Sequence, residues 1–493
     1  MTEPLPGQAT KTSRWLGITA LGQAWRFLIS FASAIILGRL LLPTDFGLLA
    51  TLAPVIAVMD LIRDLGFTQA IIQRPSITKT QANGLFWISM AVAGSLSLLL
   101  LISSSFIARF FNEPRLTKLL IAQAFTLLIA ACAAQPYAFL NRQLKFNQIA
   151  LIDAITSTTG LVVSATGAWL THSYWAIFIG GATQTLGNLI LATYFSGWRP
   201  GRPTWDLHVA AMARFGAGVS VSNLANFLSR NTDNLLIAKA DGPFQLGLYD
   251  RSYKLMLLPL TQVTAPMARV LVPVLSRLSD DPEGYKSLYF KTITFLMAIT
   301  QPGLILAIAF SRPLILALLG PKWAGIPPIF SWLALAGLHQ LVTSSLYWLM
   351  VSQGRARTLA ILSGFNAVTT VTAFFVGLPY GPVGVAAAYA ISDYVIRAPL
   401  NWWVAGRVGP VRSVELLKSI GPHIAACLAC ALAVEGLSML FKSPSLILLA
   451  LCALPAYGAY LAILAMFGAK RSMLASAANQ LLAIVRRPAA ARL

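Results

Sequence analysis

With 57% hydrophobic against 11% charged residues and a mean hydropathy of +0.71, this 493-residue chain is far from the roughly 25% charged content of a soluble domain. Those values exclude a water-soluble fold. The net charge of +21 would suit a nucleic-acid partner, but the basic residues are spread a few per loop between apolar runs and never form a dense tract, so nucleic acid is excluded as well.

Apolar runs long enough to cross a hydrocarbon core of roughly 30 Å recur along the whole length. Backbone polar groups in lipid must be paired internally, so these runs are helices, and the fold class is an all-α polytopic membrane protein of about fourteen transmembrane helices. A polar tail, 1–14, has no cleavage-site pattern and leads into the first permanent helix at 15–40. Helices 2 to 6 follow at 45–65, 84–107, 117–140, 148–170 and 174–197. A Pro- and Arg-rich linker, 198–212, precedes helices 7 and 8 at 213–240 and 246–278. Helices 9 to 12 are expected at 288–310, 326–351, 358–378 and 383–406, and helices 13 and 14 at 419–441 and 445–467, before a basic tail at 468–493.

Lys and Arg concentrate in the segments that face inward when the N-terminus is cytoplasmic, among them Arg142, Lys145, Arg199, Arg202, Arg355 and Arg357. Both termini are therefore expected in the cytoplasm. Helix 1 and helix 7 superimpose at a constant offset of 200 positions: Phe27-Leu28 on Phe227-Leu228, Arg39 on Lys239, Pro43 on Pro243 and Gly47-Leu48 on Gly247-Leu248. An even number of crossings separates the two copies, which makes the repeat parallel. It divides the chain into an N-lobe, 15–197, and a C-lobe, 213–406, each of six helices, with helices 13 and 14 outside the repeat.

Polar residues form matched stripes on the repeated helices. Helix 1 carries Thr19, Gln23, Arg26, Ser30 and Ser33 at helical spacing, and helix 7 carries Ser220, Asn223, Asn226, Arg230 and Asp233, with Asn234 beside the last. A charge at mid-membrane costs roughly 2.5–3.5 kcal/mol, so such residues face a bundle interior or a wet cavity. Arg26 has no acid at i±3 or i±4, whereas Arg230 has Asp233 at i+3, and a closed ion pair that fixes helix packing stands beside the cavity reading there. Arg251 and Lys254 share a face of helix 8, either snorkelling to the membrane edge or lining a cavity. Asp60, Arg63 and Asp64, Asp153, and Asp393 with Arg397 read mainly as ion pairs and caps at cytoplasmic helix ends, with a gating role as the alternative. A cavity lined by Arg, Lys, Asn, Gln and Ser suits an anionic, hydroxyl-rich ligand, because guanidinium groups bind phosphate bidentately and amides serve sugar hydroxyls.

Enzyme signatures are missing. No P-loop, His-Glu-x-x-His or Gly-x-Ser-x-Gly string occurs, and His172, His208, His339 and His423 are scattered without ligand spacing, so no metal site is expected. Cys427-x-x-Cys430 has metal or redox spacing without a second pair, and reads as a small packing face.

Several strings carry a family resemblance: Gly38-Arg-Leu-Leu-Leu-Pro-Thr-Asp-Phe-Gly47, Leu140-Asn-Arg-Gln-Leu-Lys-Phe146, Asn231-Thr-Asp-Asn-Leu-Leu-Ile237, Leu246-Gly-Leu-Tyr-Asp-Arg-Ser-Tyr-Lys254 and Leu319-Gly-Pro-Lys-Trp323. Together they resemble the polysaccharide transporter family, the oligosaccharide flippases and lipopolysaccharide exporters of the multidrug/oligosaccharidyl-lipid/polysaccharide flippase superfamily. The resemblance implies two facing lobes, alternating access, and movement of a polyprenyl-diphosphate-linked oligosaccharide across the bacterial inner membrane. It further implies no bound cofactor, a proton or sodium gradient as the drive, and polysaccharide polymerase or export proteins as partners beside the lipid bilayer. Small-molecule efflux is the alternative within transport, and a membrane polymerase or glycosyltransferase the alternative outside it. The expected substrate-binding set is Gln23, Arg26, Asn223, Asn226, Arg230, Asp233, Asn234, Arg251 and Lys254.

Overall fold

The computed structural model describes residues 8–64, 71, 78–203, 231–439, 446–468 and 471. Among them every regular element is a helix, as the composition requires. The order is α1 (Gln8–Leu40), α2 (Pro43–Asp64), α3 (Lys79–Phe110), α4 (Arg115–Arg142), α5 (Phe146–Thr171), α6 (Trp175–Ser196) and α7 (231–240). Then come α8 (Gly242–Arg277), α9 (Pro282–Ala309), α10 (Ser311–Leu319), α11 (Ile326–Ser352), α12 (Ala356–Gly377), α13 (Gly381–Ser392), α14 (Ala398–Ala405), α15 (Ser413–Met439) and α16 (Leu446–Met466). Ten helical stretches among the described residues are long and apolar enough to cross a membrane, one of them holding α12 to α14 in Ala356–Ala405. The expected helix at 213–240 is described only from residue 231 onward, and the linker beyond residue 203 lies outside the described residues.

Local chemistry sets the ends. Thr78 and Gln81 close a capping box, the Thr78 hydroxyl accepting from Gln81 N and the Gln81 side chain from Thr78 N, both at 3.2 Å. That cap starts α3 five residues before the apolar run expected from position 84. Asp45, in the first turn of α2, accepts the Leu42 N–H at 2.9 Å. On α3, Leu98, Leu99, Ile102 and Phe106 are exposed along one face, the lipid-facing stripe of a spanning helix.

The chain divides inside α8 into two compact units, Met1–Gly247 and Leu248–Leu493. In the first, α5 lies between α1 and α6, α6 packs on α4, α4 on α3, and α2 touches both α3 and α4. The α5–α6 seam is built from small residues. Thr156, Gly160, Ser164 and Ala168 recur every four positions on α5, all buried, and a Cβ added to Gly180 of α6 would fall 1.8 Å from the Ser164 hydroxyl and 2.6 Å from the Gly160 carbonyl oxygen. Lipid offers no hydrophobic drive for helix association, so this close backbone approach holds the pair through van der Waals contact. Gly180→Val is expected to cost about 1–3 kcal/mol by overpacking, read as a lower unfolding midpoint of the purified protein.

In the second unit α9 packs on α11, α15 and α16, α11 on α13 and α14, and α12 on α13. Trp323, in the 3-10 turn Pro321–Trp323 after α10, is fully buried, which gives the Leu319-Gly-Pro-Lys-Trp323 string a packing role.

Two inter-helix turns, one in each unit, share their local geometry. Gln143-Leu144-Lys145, between α4 and α5, and Gln353-Gly354-Arg355, between α11 and α12, make the same turn: the middle residue has φ of 54° or 68°. The Lys145 N–H reaches Leu140 O at 3.0 Å and the Arg355 N–H reaches Met350 O at 2.9 Å. Each basic side chain then caps the C-terminus of a later helix in its own unit. Lys145 Nζ donates to Phe195 O at 3.3 Å, and the Arg355 guanidinium to Val404, Ala405 and Val408 carbonyls at 2.9–3.0 Å. Residues that read as topology determinants thus also close helix ends.

The Pro and Gly shared by the two copies have a physical reason as well. A Cβ on Gly47 would lie 1.6 Å from Pro243 O, and one on Gly247 would lie 1.9 Å from Pro43 O. The first turns of α2 and α8 therefore cross backbone against backbone, each glycine admitting the other's proline carbonyl.

Candidate functional site

The polar stripe of α1 meets its partner on α5. Arg26 Nη1 donates to Asp153 Oδ2 at 2.9 Å, and the Tyr137 hydroxyl of α4 donates to Asp153 Oδ1 at 3.0 Å, so both carboxylate oxygens are used. Trp25 Nε1 donates to Thr158 Oγ1 at 3.2 Å, and Gly22 lies against Ala150, which draws the two helices together around the pair. Arg26 lies 14 residues before Leu40, roughly 21 Å at 1.5 Å per residue, and Asp153 seven residues after Phe146, roughly 10 Å. Both residues therefore sit about two turns or more inside their helices rather than at a helix end. Asp153 thus forms an ion pair, as expected, but about two turns inside α5 and not as a cap at its end.

The Arg26 side chain is 46% exposed and that of Asp153 17%. One guanidinium edge is held while the rest faces outward, with N–H donors left for an anion. Gln23, half-buried, stands one turn away on α1.

The remaining expected residues are distributed as follows. Asn223, Asn226 and Arg230 lie outside the described residues. Asp233 is buried on α7, its Oδ1 accepting the Asn234 N–H at 2.8 Å. On α8, Lys254 Nζ donates to Asp250 Oδ2 at 2.8 Å, one turn back along its own helix, and Arg251 is half-buried beside them. Gln23, Arg26, Asp233 and Asn234 belong to the first unit, and Arg251 and Lys254 to the second.

A second polar cluster adds His339 to the pair expected of Asp393 and Arg397. His339 Nδ1 lies 2.9 Å from Asp393 Oδ2, and Arg397 Nη2 lies 3.4 Å from Asp393 Oδ1. Arg397 also donates to Thr370 Oγ1 and Tyr389 O at 2.8 Å each, and its guanidinium stacks on the Tyr389 ring. All three titratable side chains are buried. Asp393–Arg397 forms a π-helical turn between α13 and α14, a geometry that recurs at functional sites. His339 is 13 residues from either end of α11, and Asp393 is 12 from either end of the run 381–405. Asp393 and Arg397 do pair, but in the middle of the helical run, not at its cytoplasmic end. The available signal was an Asp and an Arg four apart inside an apolar helix, together with a histidine at the centre of another.

A third network ties α15 and α16 to α9. His423 Nδ1 lies 2.6 Å from the Tyr460 hydroxyl, which donates to Gln301 Oε1, and Gln301 Nε2 donates to Leu338 O at 3.2 Å. Cys427 Sγ donates to the same Gln301 oxygen at 3.4 Å, while Cys430 and Cys452 are buried in the apolar cluster around it. Tyr460→Phe removes the hydroxyl that joins His423 to Gln301. It is expected to cost about 1–3 kcal/mol, measured as a fall in the midpoint of thermal unfolding in detergent.

Comparison with known proteins brings these features into a family context. The family model described as polysaccharide biosynthesis protein matches residues 36–328. The chain is 24% identical over 372 residues to the lipopolysaccharide biosynthesis protein WzxC of Escherichia coli K12, covering 75% of each chain. It is 26% identical over 352 residues to the teichuronic acid biosynthesis protein TuaB of Bacillus subtilis 168, covering 71% of this chain and 72% of that one. Among solved structures, the lipid II flippase MurJ in an inward closed conformation shares the fold with a TM-score of 0.73, over 91% of this chain and 98% of that one, at 14% identity.

Proposed function

Because the chain belongs to the polysaccharide biosynthesis protein family, we propose that it is a flippase which moves a polyprenyl-diphosphate-linked oligosaccharide from the cytoplasmic to the periplasmic face of the bacterial inner membrane. Both termini are cytoplasmic in this reading, and the repeated six-helix lobes, 15–197 and 213–406, alternate access to the substrate.

The observation that carries the proposal is the Arg26 guanidinium, held inside the membrane by Asp153 and half open beyond it. An arginine at that depth has to be matched by negative charge. Asp153 supplies it at rest, and the diphosphate of the lipid carrier supplies it when bound, in the bidentate geometry that guanidinium favours. Tyr137 then keeps the displaced carboxylate hydrogen-bonded, which lowers the cost of the exchange. In this reading Gln23, one turn away on α1, serves a neighbouring oxygen. Asn223, Asn226, Arg230, Asp233, Asn234, Arg251 and Lys254 remain the candidates for the saccharide and the rest of the headgroup, on the strength of their spacing. An ion gradient supplies the drive, and polymerase or export proteins take the product onward.

The relatives WzxC and TuaB bear the names of polysaccharide biosynthesis proteins, which supports a saccharide cargo. The test is reconstitution in liposomes with a fluorescent polyprenyl-diphosphate oligosaccharide. The probe is expected to change leaflet without changing mass. A lengthened probe would identify a polymerase, and an immobile probe together with uptake of a cationic dye would identify a drug transporter.

A further inference from the structure

The cluster at the π-helical turn holds one carboxylate between two basic side chains at the centre of the second unit. Arg397 has anchors of its own in Thr370 Oγ1, Tyr389 O and the Tyr389 ring, so it stays in place whichever partner Asp393 takes. The carboxylate is closer to His339, at 2.9 Å, than to Arg397, at 3.4 Å. An ionised Asp393 only accepts hydrogen bonds, which puts a proton on His339 Nδ1 and leaves the lone pair on Nε2. That Nε2 atom is buried and has no hydrogen-bond partner among the described residues, on a side chain whose residue is only 6% exposed.

Resting on the transporter reading above, we propose that His339 is a proton-binding site, completed by Asp393 and offset by Arg397, that fills and empties during the transport cycle. A proton from water adds to the Nε2 lone pair, giving an imidazolium whose Nδ1–H remains on Asp393; loss of the same proton to water restores the neutral ring. With neutral His339 the charges of Asp393 and Arg397 cancel. With the imidazolium the cluster carries one net positive charge at mid-membrane, which is costly there and favours a different arrangement of the unit. Because Nε2 is shut off from solvent in this conformation, exchange with water has to take place in another one. That is the condition for a proton to be tied to a conformational cycle rather than to leak.

The surroundings hold few competitors. Thr343 of α11 lies 3.1 Å from His339 Nδ1, and α12 presents Asn366 and Thr370. The turn and its flanks present Tyr389, Tyr394, Asn401 and Trp402, with the Tyr394 hydroxyl on Leu335 O. From α9 comes Gln301, on the carbonyl of Leu338, and from α15 the Cys427 thiol bonded to it. Among the described residues facing the cluster, His339 is the one imidazole, and the other titratable side chains are the Tyr hydroxyls and the Cys427 thiol, types that ordinarily hold their protons well above neutral pH.

Trp402 provides the readout, because its ring centroid is 5.2 Å from that of His339 and an imidazolium quenches a nearby indole. The fluorescence of the purified protein, taken as the difference from a Trp402→Phe variant, is expected to show a pH-dependent transition. His339→Gln, which retains a donor for Asp393, should abolish it. Asp393→Asn and Arg397→Gln should each alter the transition, because both side chains belong to the cluster. No transition, or one unchanged in His339→Gln, overturns the site. In liposomes with the fluorescent glycolipid, a pH gradient is expected to speed the wild type, and the ratio of rates with and without the gradient should fall to unity in His339→Gln. An equal response in that variant overturns the coupling. A wild type that moves no glycolipid counts against the flippase reading, and the proton site then stands or falls on the fluorescence alone.

Discussion

Replacing Arg26 by alanine is expected to abolish surface polysaccharide while the protein stays in the membrane at near-normal level. The Arg26 guanidinium is held by Asp153 with close to half of its side chain exposed, and a hydrogen bond to a charged group is worth about 1.5–3 kcal/mol, or roughly 10- to 150-fold in affinity. The same change strips Asp153 of its cation, so a loss of stability has to be separated from a loss of binding. The double variant Arg26→Gln with Asp153→Asn provides that control. It keeps a neutral hydrogen-bonded pair, with the Tyr137 hydroxyl still able to donate to the oxygen of the new amide, and it is expected to restore protein level but not export. Arg26→Lys keeps the charge without the planar fork and should recover only part of the activity. Membrane content by immunoblot and surface polysaccharide from the same cells decide the matter. Full polysaccharide in the alanine variant would remove Arg26 from the substrate path.

Gly47→Ala is expected to have the second large effect, on folding rather than on binding. Its Cβ would fall 1.6 Å from the carbonyl oxygen of Pro243 and 2.5 Å from the carbonyl carbon, and both are backbone atoms that cannot rotate away. The first turns of α2 and α8 would have to part, at a cost of about 3 kcal/mol, the upper end of the usual range for overpacking. Gly247→Ala should behave alike, since its Cβ would meet Pro43 O at 1.9 Å. Gly94→Ala is the matched control: nothing lies within 4 Å of its added Cβ, and removing a glycine from a helix interior gains up to about 1 kcal/mol. Unfolding midpoints in detergent should fall for the first two and hold or rise for the third. Equal midpoints for Gly47→Ala and Gly94→Ala would mean that the crossing yields freely.

Arg26 and Gly47 differ in how far the sequence leads to their roles. Arg26 stands out because an uncompensated charge in an apolar helix is a local anomaly, visible at i±3 and i±4. Its partner is 127 positions away on α5, and nothing near either residue announces the pairing. Asp153 reads as an end cap from sequence because a few residues' uncertainty in where α5 begins is enough to move a carboxylate from the interface to the interior. The Pro and Gly of the repeat are legible as a pattern at an offset of 200, yet their purpose, two backbones in contact, appears only when the turns are brought together.

What the sequence determined by itself is therefore what the bilayer imposes on each segment in turn: the all-helical class, the run of apolar spans, the placement of basic residues between them and the repeat. These are local properties, because a helix in lipid satisfies its own backbone and need only be apolar over its length. What the tertiary structure alone decided is which polar groups face one another across helices: Arg26 with Asp153 and Tyr137, and His339 with Asp393, which the π-helical turn holds in place alongside Arg397. Those pairings depend on helix rotation and depth, set by small-residue seams such as Gly160 against Gly180, and no periodicity within a single helix encodes which neighbour it will meet.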